Sequence, residues 1–561
     1  MHLVMIGTTG LQRYIFASGK RQQIVGASDL IARIEGEWAD QALKRVFPGF
    51  DRDGWRLGTH DAELLVAGAG GVTVLVRDGA AGKRLVTQMG LLALKSAPML
   101  DVCGVVVAYE EGSLAAAIRR ARRDLPVVRE QRSGRQERFL RLPFVEDCSA
   151  SGLPAEGLYV EGEGEPVRSE SAVSRAKREA HPKALSRMSA IAGTGWATMD
   201  EIVDRLGVEA EWVAVVHADG NGLGEVFGGL DGLTDGPDES PDDGHSDGHG
   251  DSTGDGPDDG PGVAGSPLPP GERDRRHAER IGALSRGVDG CAKRAFAAAL
   301  RLTARELASG EPVPVLPLII GGDDLTVVCE GTVALPFARH YLEQFERMTK
   351  EDPLLRPVLA RLGRDGLSAA SGVAIVKRNY PFHFAYELAE ELTGEAKGVK
   401  SWSSALSFVA LFESSAPDLG RIRSSTALSG GGGRSASPYL VGVGGGDDRA
   451  SGRRWEDVLE GVAALRRRDP ASGEALLPGG LVHELREGMC LGEEVATSRF
   501  ELARRRFEKD AARTGALRTL AQDGGLTWTD LEGRTVTRLL DVLAARPFVP
   551  EGPGRSEGGV A

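Results

Sequence analysis

The chain has 561 residues, too many for one hydrophobic core and enough for three or four domains of about 100 to 200 residues each. Hydrophobic residues make up 41% and charged residues 27%, ordinary for a soluble globular protein. No run approaches the roughly 18 apolar residues of a membrane span, and the opening MHLVMIGTTG is too short for a signal peptide. The formal charge of −13 is concentrated between Asp231 and Asp259, which hold eleven carboxylates and no Lys or Arg; the remaining −2 gives the folded body neither a strong polyanion-binding field nor an acidic one, so nucleic-acid binding gets no help from composition.

In chain order, HLVMI predicts a first strand, 20–46 a helical stretch, AELLVAG and GVTVLVRD a hairpin, GKRLVTQMGLLALKS a helix and LDVCGVVVAY a strand. The same succession returns later. EWVAVVHA leads to the helix ERIGALSRGVDGCAKRAFAAALRLTAREL, a hairpin at 315–329, ALPFARHYLEQFERM, the strand LSAASGVAIVK and the helix PFHFAYELAEELTGEAK. Strands alternating with amphipathic helices around a central hairpin fit a split βαβ, ferredoxin-like unit. Between strand and helix of the second unit, 229–272 holds Gly, Asp, Pro and Ser with almost nothing to bury, and predicts a disordered acidic insertion. A second breaker-rich zone, 416–454, predicts a Gly-rich loop, and after 455 the pattern is helical throughout. The expected organisation is a first ferredoxin-like domain at 1–125, a connecting region at 126–205, a second such domain at 206–415 and a helical C-terminal domain at 455–561; the fold class is α+β. Five scattered cysteines, an odd number, favour reduced thiols and a cytoplasmic protein.

The two units are alike in detail. VMIGTTGLQRYIF (4–16) lies ungapped on VVHADGNGLGEVF (215–227), and VAGAGGVTVLV (66–76) on IIGGDDLTVVC (319–329). Thr8 to Gly70 spans 62 residues and Asp219 to Asp323 spans 104, so the excess of 42 is close to the length of the acidic insertion. Two similarities in one order with reconcilable spacing argue for duplication.

The second unit alone carries the acids. Asp219 ends the apolar run WVAVV, and Gly321-Gly322-Asp323-Asp324 forms the hairpin tip. Neighbouring strands bring these carboxylates to one sheet edge, where hard oxygen donors suit two Mg²⁺ or Mn²⁺ ions bridging a nucleoside triphosphate. Gly321 and Gly322 permit a tight turn, and Gly220, Asn221, Gly222 and Gly224 present backbone N–H groups suited to phosphate. A bare hairpin turn accounts equally for Gly-Gly-Asp-Asp taken alone. The same residues at 444–448, with no strand following, read as loop. Lys397, after the last helix of the unit, is placed to reach a polyphosphate or to answer a helix dipole. Ser371 lines the site or is a buried small residue, and His217 reads as a sheet residue. In the first unit Thr8, Gly70 and Gly71 stand where Asp219, Asp323 and Asp324 do, so it cannot hold metal in the same way.

VHADGNGLGEVF, LIIGGDDLTVVC and LSAASGVAIVKRNYPFHFAYELAEELTGEAK together resemble the catalytic palm of the large polymerase-like subunit of type III CRISPR effector complexes, and LQRYIFASGKRQQIVGASDLIARI resembles that family's inactive first palm. The resemblance covers most of 1–415. It implies two tandem palms, ATP converted to cyclic oligoadenylate by 3′-hydroxyl attack on an α-phosphate, and Asp219, Asp323 and Asp324 as metal ligands. It makes Ser371 and Lys397 lesser nucleotide contacts, and it implies guide and target RNA and small effector subunits as partners, with no membrane. Departures leave open a stand-alone relative. No His-Asp nuclease domain precedes the first palm, and where the family often has a zinc knuckle, EDCSASGLPAE keeps Cys148 but has Ser151 in the second cysteine position, so zinc is not expected. Besides the cyclic oligoadenylate synthase, a cyclase with a different product and a non-catalytic nucleotide-binding scaffold of an RNA-guided particle stay open.

Overall fold

A computed structural model of the chain describes residues 1–68, 70–131, 139–160, 164, 166–230, 269–308, 310–400, 403–412, 418–425, 434–442, 450–530 and 533–551. The protein is mixed α/β. Its first part runs β1 (His2–Thr9), α1 (Leu11–Phe16), α2 (Arg21–Arg33), a π-helical turn (Ile34–Trp38), α3 (Ala39–Val46), β2 (Ala62–Gly68), β3 (Gly71–Val76), α4 (Gly79–Ser96), β4 (Asp101–Ala108) and α5 (Leu114–Glu130). A connecting part follows, with the hairpin β5 (Gly157–Tyr159) and β6 (Arg168–Glu170), then α6 (Ala172–Ala192) and α7 (Trp196–Val208). The next part holds β7 (Trp212–Gly220), α8 (Leu223–Gly229), α9 (Pro270–Glu306), β8 (Val315–Gly321), β9 (Asp324–Glu330), α10 (Gly331–Glu351), α11 (Arg356–Arg361), β10 (Ala369–Lys377), α12 (Phe382–Ala396) and β11 (Ala405–Ala410). The chain closes with α13 (Leu419–Ser425), β12 (Arg434–Ser435), β13 (Tyr439–Leu440), α14 (Trp455–Arg466), α15 (Gly479–Leu491), α16 (Glu493–Arg506), α17 (Ala511–Thr519), β14 (Trp528–Thr529), β15 (Thr535–Thr537) and α18 (Leu539–Ala545). Among the described residues no helix is long and apolar enough to cross a membrane.

The first sheet is ordered β2-β3-β1-β4 and the second β13-β11-β10-β7-β9-β8. Within the second, β8, β9, β7 and β10 repeat the connectivity and order of the first, a split βαβ unit with every neighbour antiparallel. The register is not identical. Met5 faces Thr73 in the first sheet, whereas His217, which the sequence lays on Ile6, faces Thr326 in the second. One hairpin has therefore slipped by a residue against its first strand.

The two halves cover each other. Both faces of the second sheet are apolar, as its continuous Val-Ala-Val-Val run requires. Helices α9 and α10 fill one face; α12 and the first half's α2 fill the other, while α9 reaches back onto β2. Arg275 of α9 forks onto the buried Glu63 of β2 at 2.6 and 2.7 Å, and Asp274 accepts the Gly112 and Leu114 N–H groups at the start of α5. Gly372 of β10 lets α12 approach closely, since a Cβ there would stand 2.1 Å from the Ala389 carbonyl oxygen.

Three expectations need correction. The acidic insertion is shorter than 229–272, because α8 continues to Gly229 and α9 begins at Pro270 with proline in its first turn; 231–268 lies outside the described residues, as does the second Gly-Gly-Asp-Asp. The zone 416–454 is not all loop: it supplies α13, β12 and β13. Nor is the C-terminal region wholly helical, for β12, β15 and β14 form a small sheet. One buried carboxylate organises both features. Asp541 on α18 accepts from Ser435 Oγ at 2.7 Å, the Ala436 N–H at 3.2 Å and the Tyr439 hydroxyl at 2.6 Å.

Candidate active site: a carboxylate cluster at the edge of the second sheet

Asp219 is the penultimate residue of β7, and Asp323 and Asp324 occupy the turn and first position of the β8–β9 hairpin. The register pairs Ala218 with Leu325; carried one residue further, it sets Asp219 across from Asp324 on one sheet face. Gly322 takes a φ of 62°, the left-handed value a two-residue hairpin turn asks of glycine, and its N–H points at Asp289 of α9 at 3.4 Å. Gly220 has a different use from the phosphate cradle expected of it. It pairs with Ala369 in the sheet, and a Cβ there would lie 2.8 Å from Asp323 Cβ, so its bareness is what lets the hairpin tip close on β7.

The acids act on one another. Burial, and then the charge and hydrogen bond of Asp219, push the Asp323 carboxyl up to about 7. Burial, and then the charges of Asp219 and Asp323, push Asp324 up to about 7 as well. Lys397, at the end of α12, places its ammonium on the Asp219 carboxylate. The same ammonium draws Asp323 and Asp324 downward, against burial and the neighbouring charges. Among the described residues no group of three or more His, Cys, Asp or Glu side chains stands in metal-holding geometry. The donors nevertheless fit a hard divalent cation in kind: three carboxylates whose mutual repulsion a positive ion would relieve.

Around the acids the expected residues divide. Asn221 and Gly222 line a cavity of about 480 Å³ together with Lys350, Arg364 and Lys400. The Asn221 N–H, however, is taken by the Ser368 carbonyl oxygen at 2.8 Å and its amide donates to Ser368 Oγ at 3.0 Å, so this turn presents fewer free N–H groups than its glycines suggest. Ser371 lies within β10. It is fully buried, and its hydroxyl donates to the His217 carbonyl oxygen at 3.0 Å, where Thr393 also donates at 3.1 Å. His217 is a sheet residue as read: burial lowers it to about 4, its Nδ1 meets Thr326 Oγ1 at 3.1 Å, and its ring abuts Tyr386.

Sequence reasoning missed Lys400, Glu35 and Asp289. Lys400 stands one helical turn past Lys397 and pairs with Glu225 at 2.9 Å. Glu35 on the π-turn accepts the Gly70 N–H at 3.1 Å, as Asp289 receives that of Gly322, so each hairpin tip is held by an acid from its own half's first helical stretch. The duplication was the signal that leads to both. It extends to the cation: Arg129, at the end of α5, donates to the Thr8 carbonyl oxygen at 3.1 Å, the place where Lys397 meets Asp219. Thr8 itself donates to the Gly70 carbonyl oxygen at 2.8 Å. Around them lies a cavity of about 280 Å³ bordered by Gly70, Gly71, Arg122, Arg129 and Phe227.

No protein-family model matches the chain, and no curated protein does. Solved structures do match. A Csm1–Csm4 cassette in complex with cA4 is 14% identical over 97% of this chain and 70% of its own, with a TM-score of 0.50. Csm1 from T. onnurineus is 12% identical over 97% of this chain and 69% of its own, with a TM-score of 0.49. The chain thus has the fold of Csm1, a subunit of type III CRISPR complexes, in agreement with the resemblance read from its motifs.

Proposed function

We propose that the chain is a metal-dependent nucleotidyltransferase of antiviral defence that converts ATP to cyclic oligoadenylate. In each step the 3′-hydroxyl of one nucleotide attacks the α-phosphate of another, a phosphodiester bond forms and pyrophosphate leaves. The observation that carries this reading is the convergence of Asp219, Asp323 and Asp324 on one edge, with two of the acids raised to about 7 by burial and by their neighbours' charge. The likeness to a Csm1 cassette solved with cA4 adds support. In this reading the two split βαβ units are tandem palms. Asp219, Asp323 and Asp324 would hold Mg²⁺ or Mn²⁺, which when bound activates the attacking hydroxyl and offsets charge on the leaving pyrophosphate. Lys397 and Lys400 neutralise the polyphosphate, with Lys397 leaving Asp219 as the substrate's phosphates arrive. The cavity beside Asn221 and Gly222 takes the nucleoside end, and the first palm, with its glycines and Arg129, receives the second nucleotide without metal. Small effector subunits and guide and target RNA are the partners this role implies.

A non-catalytic nucleotide-binding scaffold of an RNA-guided particle is the second reading. One observation favours it: Asp219 is already neutralised by Lys397. Incubation with labelled ATP and Mg²⁺ or Mn²⁺, with and without RNA, separates the two. Synthesis that disappears in the Asp323→Ala/Asp324→Ala chain supports the enzyme, whereas unchanged synthesis in that variant removes the acids from the chemistry.

A further inference from the structure

The family resemblance implies a zinc knuckle in the connecting part, and the residues at that place do not fit zinc. Cys148 and Ser151 are separated by two residues on a tight turn closed by Gly152, whose φ is 63° and whose N–H donates to the Cys148 carbonyl oxygen at 2.9 Å. Ser171 and Ser174 are separated by two residues at the start of α6, where Ser171 Oγ caps the Ser174 N–H at 3.2 Å. The four side chains close a ring. Cys148 Sγ lies 3.4 Å from Ser174 Oγ, Ser174 Oγ 3.3 Å from Ser171 Oγ, and Ser171 Oγ 2.9 Å from Ser151 Oγ, whose hydroxyl in turn acts on the Cys148 sulfur and lowers its pKa. Cys148, Ser171 and Ser174 are buried and Ser151 is half-buried.

Two pairs with a two-residue spacer, one on a turn and one at a helix start, around a single centre, are the layout of a four-ligand structural metal site. Four thiolates about 2.3 Å from zinc have edges of about 3.8 Å, so the ring is tighter by less than an ångström, as hydroxyls bonded to one another require. Neutral hydroxyls are poor zinc donors, and three of the four positions carry them. We infer that Cys148, Ser151, Ser171 and Ser174 form a metal-free knuckle, in which a hydrogen-bonded ring of one cysteine sulfur and three hydroxyls clamps the turn to α6 in place of a metal ion. The Cys148 sulfur matches its ring: burial raises its pKa, but hydrogen bonds from Ser151, Ser174 and the backbone of Ser171 and Ala150 together outweigh burial and bring it to about 6. What the clamp holds is consequential, because α6 packs along α2, and α2 lies on β8 beside the site.

The purified full chain tests this in two ways. Dialysis against a strong chelator should leave the melting temperature unchanged and the bound zinc far below one per chain. Stoichiometric zinc, or a melting temperature that falls on chelation and returns with zinc, overturns the inference. The Ser151→Cys/Ser171→Cys/Ser174→Cys variant should take up one Zn²⁺ per chain, and with Co²⁺ should show a thiolate-to-metal charge-transfer band and tetrahedral d–d bands. A folded variant without these bands means the four positions share no centre and refutes it. Should the triple variant not fold, Ser171→Ala carries the test: opening the ring should lower the melting temperature by roughly 2–6 °C, and an unchanged melt refutes the clamp.

Discussion

Replacing Asp324 with Asn tests whether the carboxylate cluster is held against the interests of folding. Asp324 is carried from its ordinary 3.8 to about 7, first by burial and then by the charges of Asp219 and Asp323. At about 1.4 kcal/mol per pH unit, the ionised form is disfavoured by up to about 4 kcal/mol. Asp324 shares this strain with its neighbours, and Lys397 relieves part of it, so about 1–2 kcal/mol is the amount one substitution releases. The sign follows from proton counting. Between pH 4 and 7 the folded chain holds a proton on Asp324 that the unfolded chain has lost, so this group's contribution to stability falls as pH rises through that window and is flat above it. Asp324→Asn should therefore match the parent near pH 4 and exceed it at pH 8, by a few degrees in melting temperature. Divalent cation should reverse the ranking: Mn²⁺ at a hundred times its dissociation constant adds about 2.7 kcal/mol to the parent and little to the variant. Thermal melts at pH 4, 6 and 8, with and without Mn²⁺, measure this. A variant no more stable than the parent at pH 8, or equal stabilisation of both by Mn²⁺, would refute the cluster's account.

Four further substitutions probe the surroundings. Lys397→Met removes the cation from Asp219 and should lower ATP turnover roughly 100-fold or more, as loss of a preorganised charge partner does; unchanged turnover counts against its phosphate role. Gly220→Ala sets a Cβ 2.8 Å from Asp323 Cβ and 2.6 Å from Leu223 Cδ1, so it should destabilise by about 1–3 kcal/mol and abolish turnover by displacing the hairpin tip; full turnover denies the close approach its importance. Ser371→Ala should lose about 0.5–1.5 kcal/mol of stability and leave the KM for ATP unchanged, because its hydroxyl serves the His217 carbonyl; a raised KM restores it as a nucleotide contact. Lys177, fully buried with its ammonium on the Tyr14 carbonyl and over the Tyr14 ring, is lowered by burial from 10.5 to about 7. Between those values the unfolded chain binds more protons, so parent stability rises with pH; Lys177→Met should remove that rise and be more stable at pH 6 by about 1–3 kcal/mol, checked by urea midpoints at pH 6 and 10.

What the sequence makes legible is what its periodicity and local turns encode. The strands of both split βαβ units are apolar runs bounded by breakers, and α9, α10 and α12 are long enough for the helical period to show. The small sheet of β12, β14 and β15 escapes because two- and three-residue strands carry no period, and because its anchor is remote: Ser435 and Asp541 meet across 106 residues. The one-residue slip of the second hairpin escapes for the same reason, since an ungapped match of segments says nothing of how strands pair. Within the site, Asp219, Asp323 and Asp324 announced themselves as charges where apolar strands end. Ser371 did not, because a small residue in a strand serves a cavity and a core equally well.

The duplicated halves show which parts of the site belong to the scaffold. A basic residue at the end of the covering helix touches the end of the first strand in both, Arg129 on Thr8 and Lys397 on Asp219, and an acid from the first helical stretch holds each hairpin tip, Glu35 on Gly70 and Asp289 on Gly322. Three of these four contacts satisfy backbone groups, and the two of the first half, Arg129 on Thr8 and Glu35 on Gly70, serve a sheet that lacks the carboxylates. The three acids are additional to that scaffold: Asp219 raises Asp323 and Asp324, Asp323 raises Asp324, and Lys397 offsets this only in part. The first half demonstrates that Thr8 and two glycines can occupy those places in a well-packed sheet. A charge cluster that destabilises its own half, beside a copy that folds without it, is explained by what it binds rather than by what it holds together.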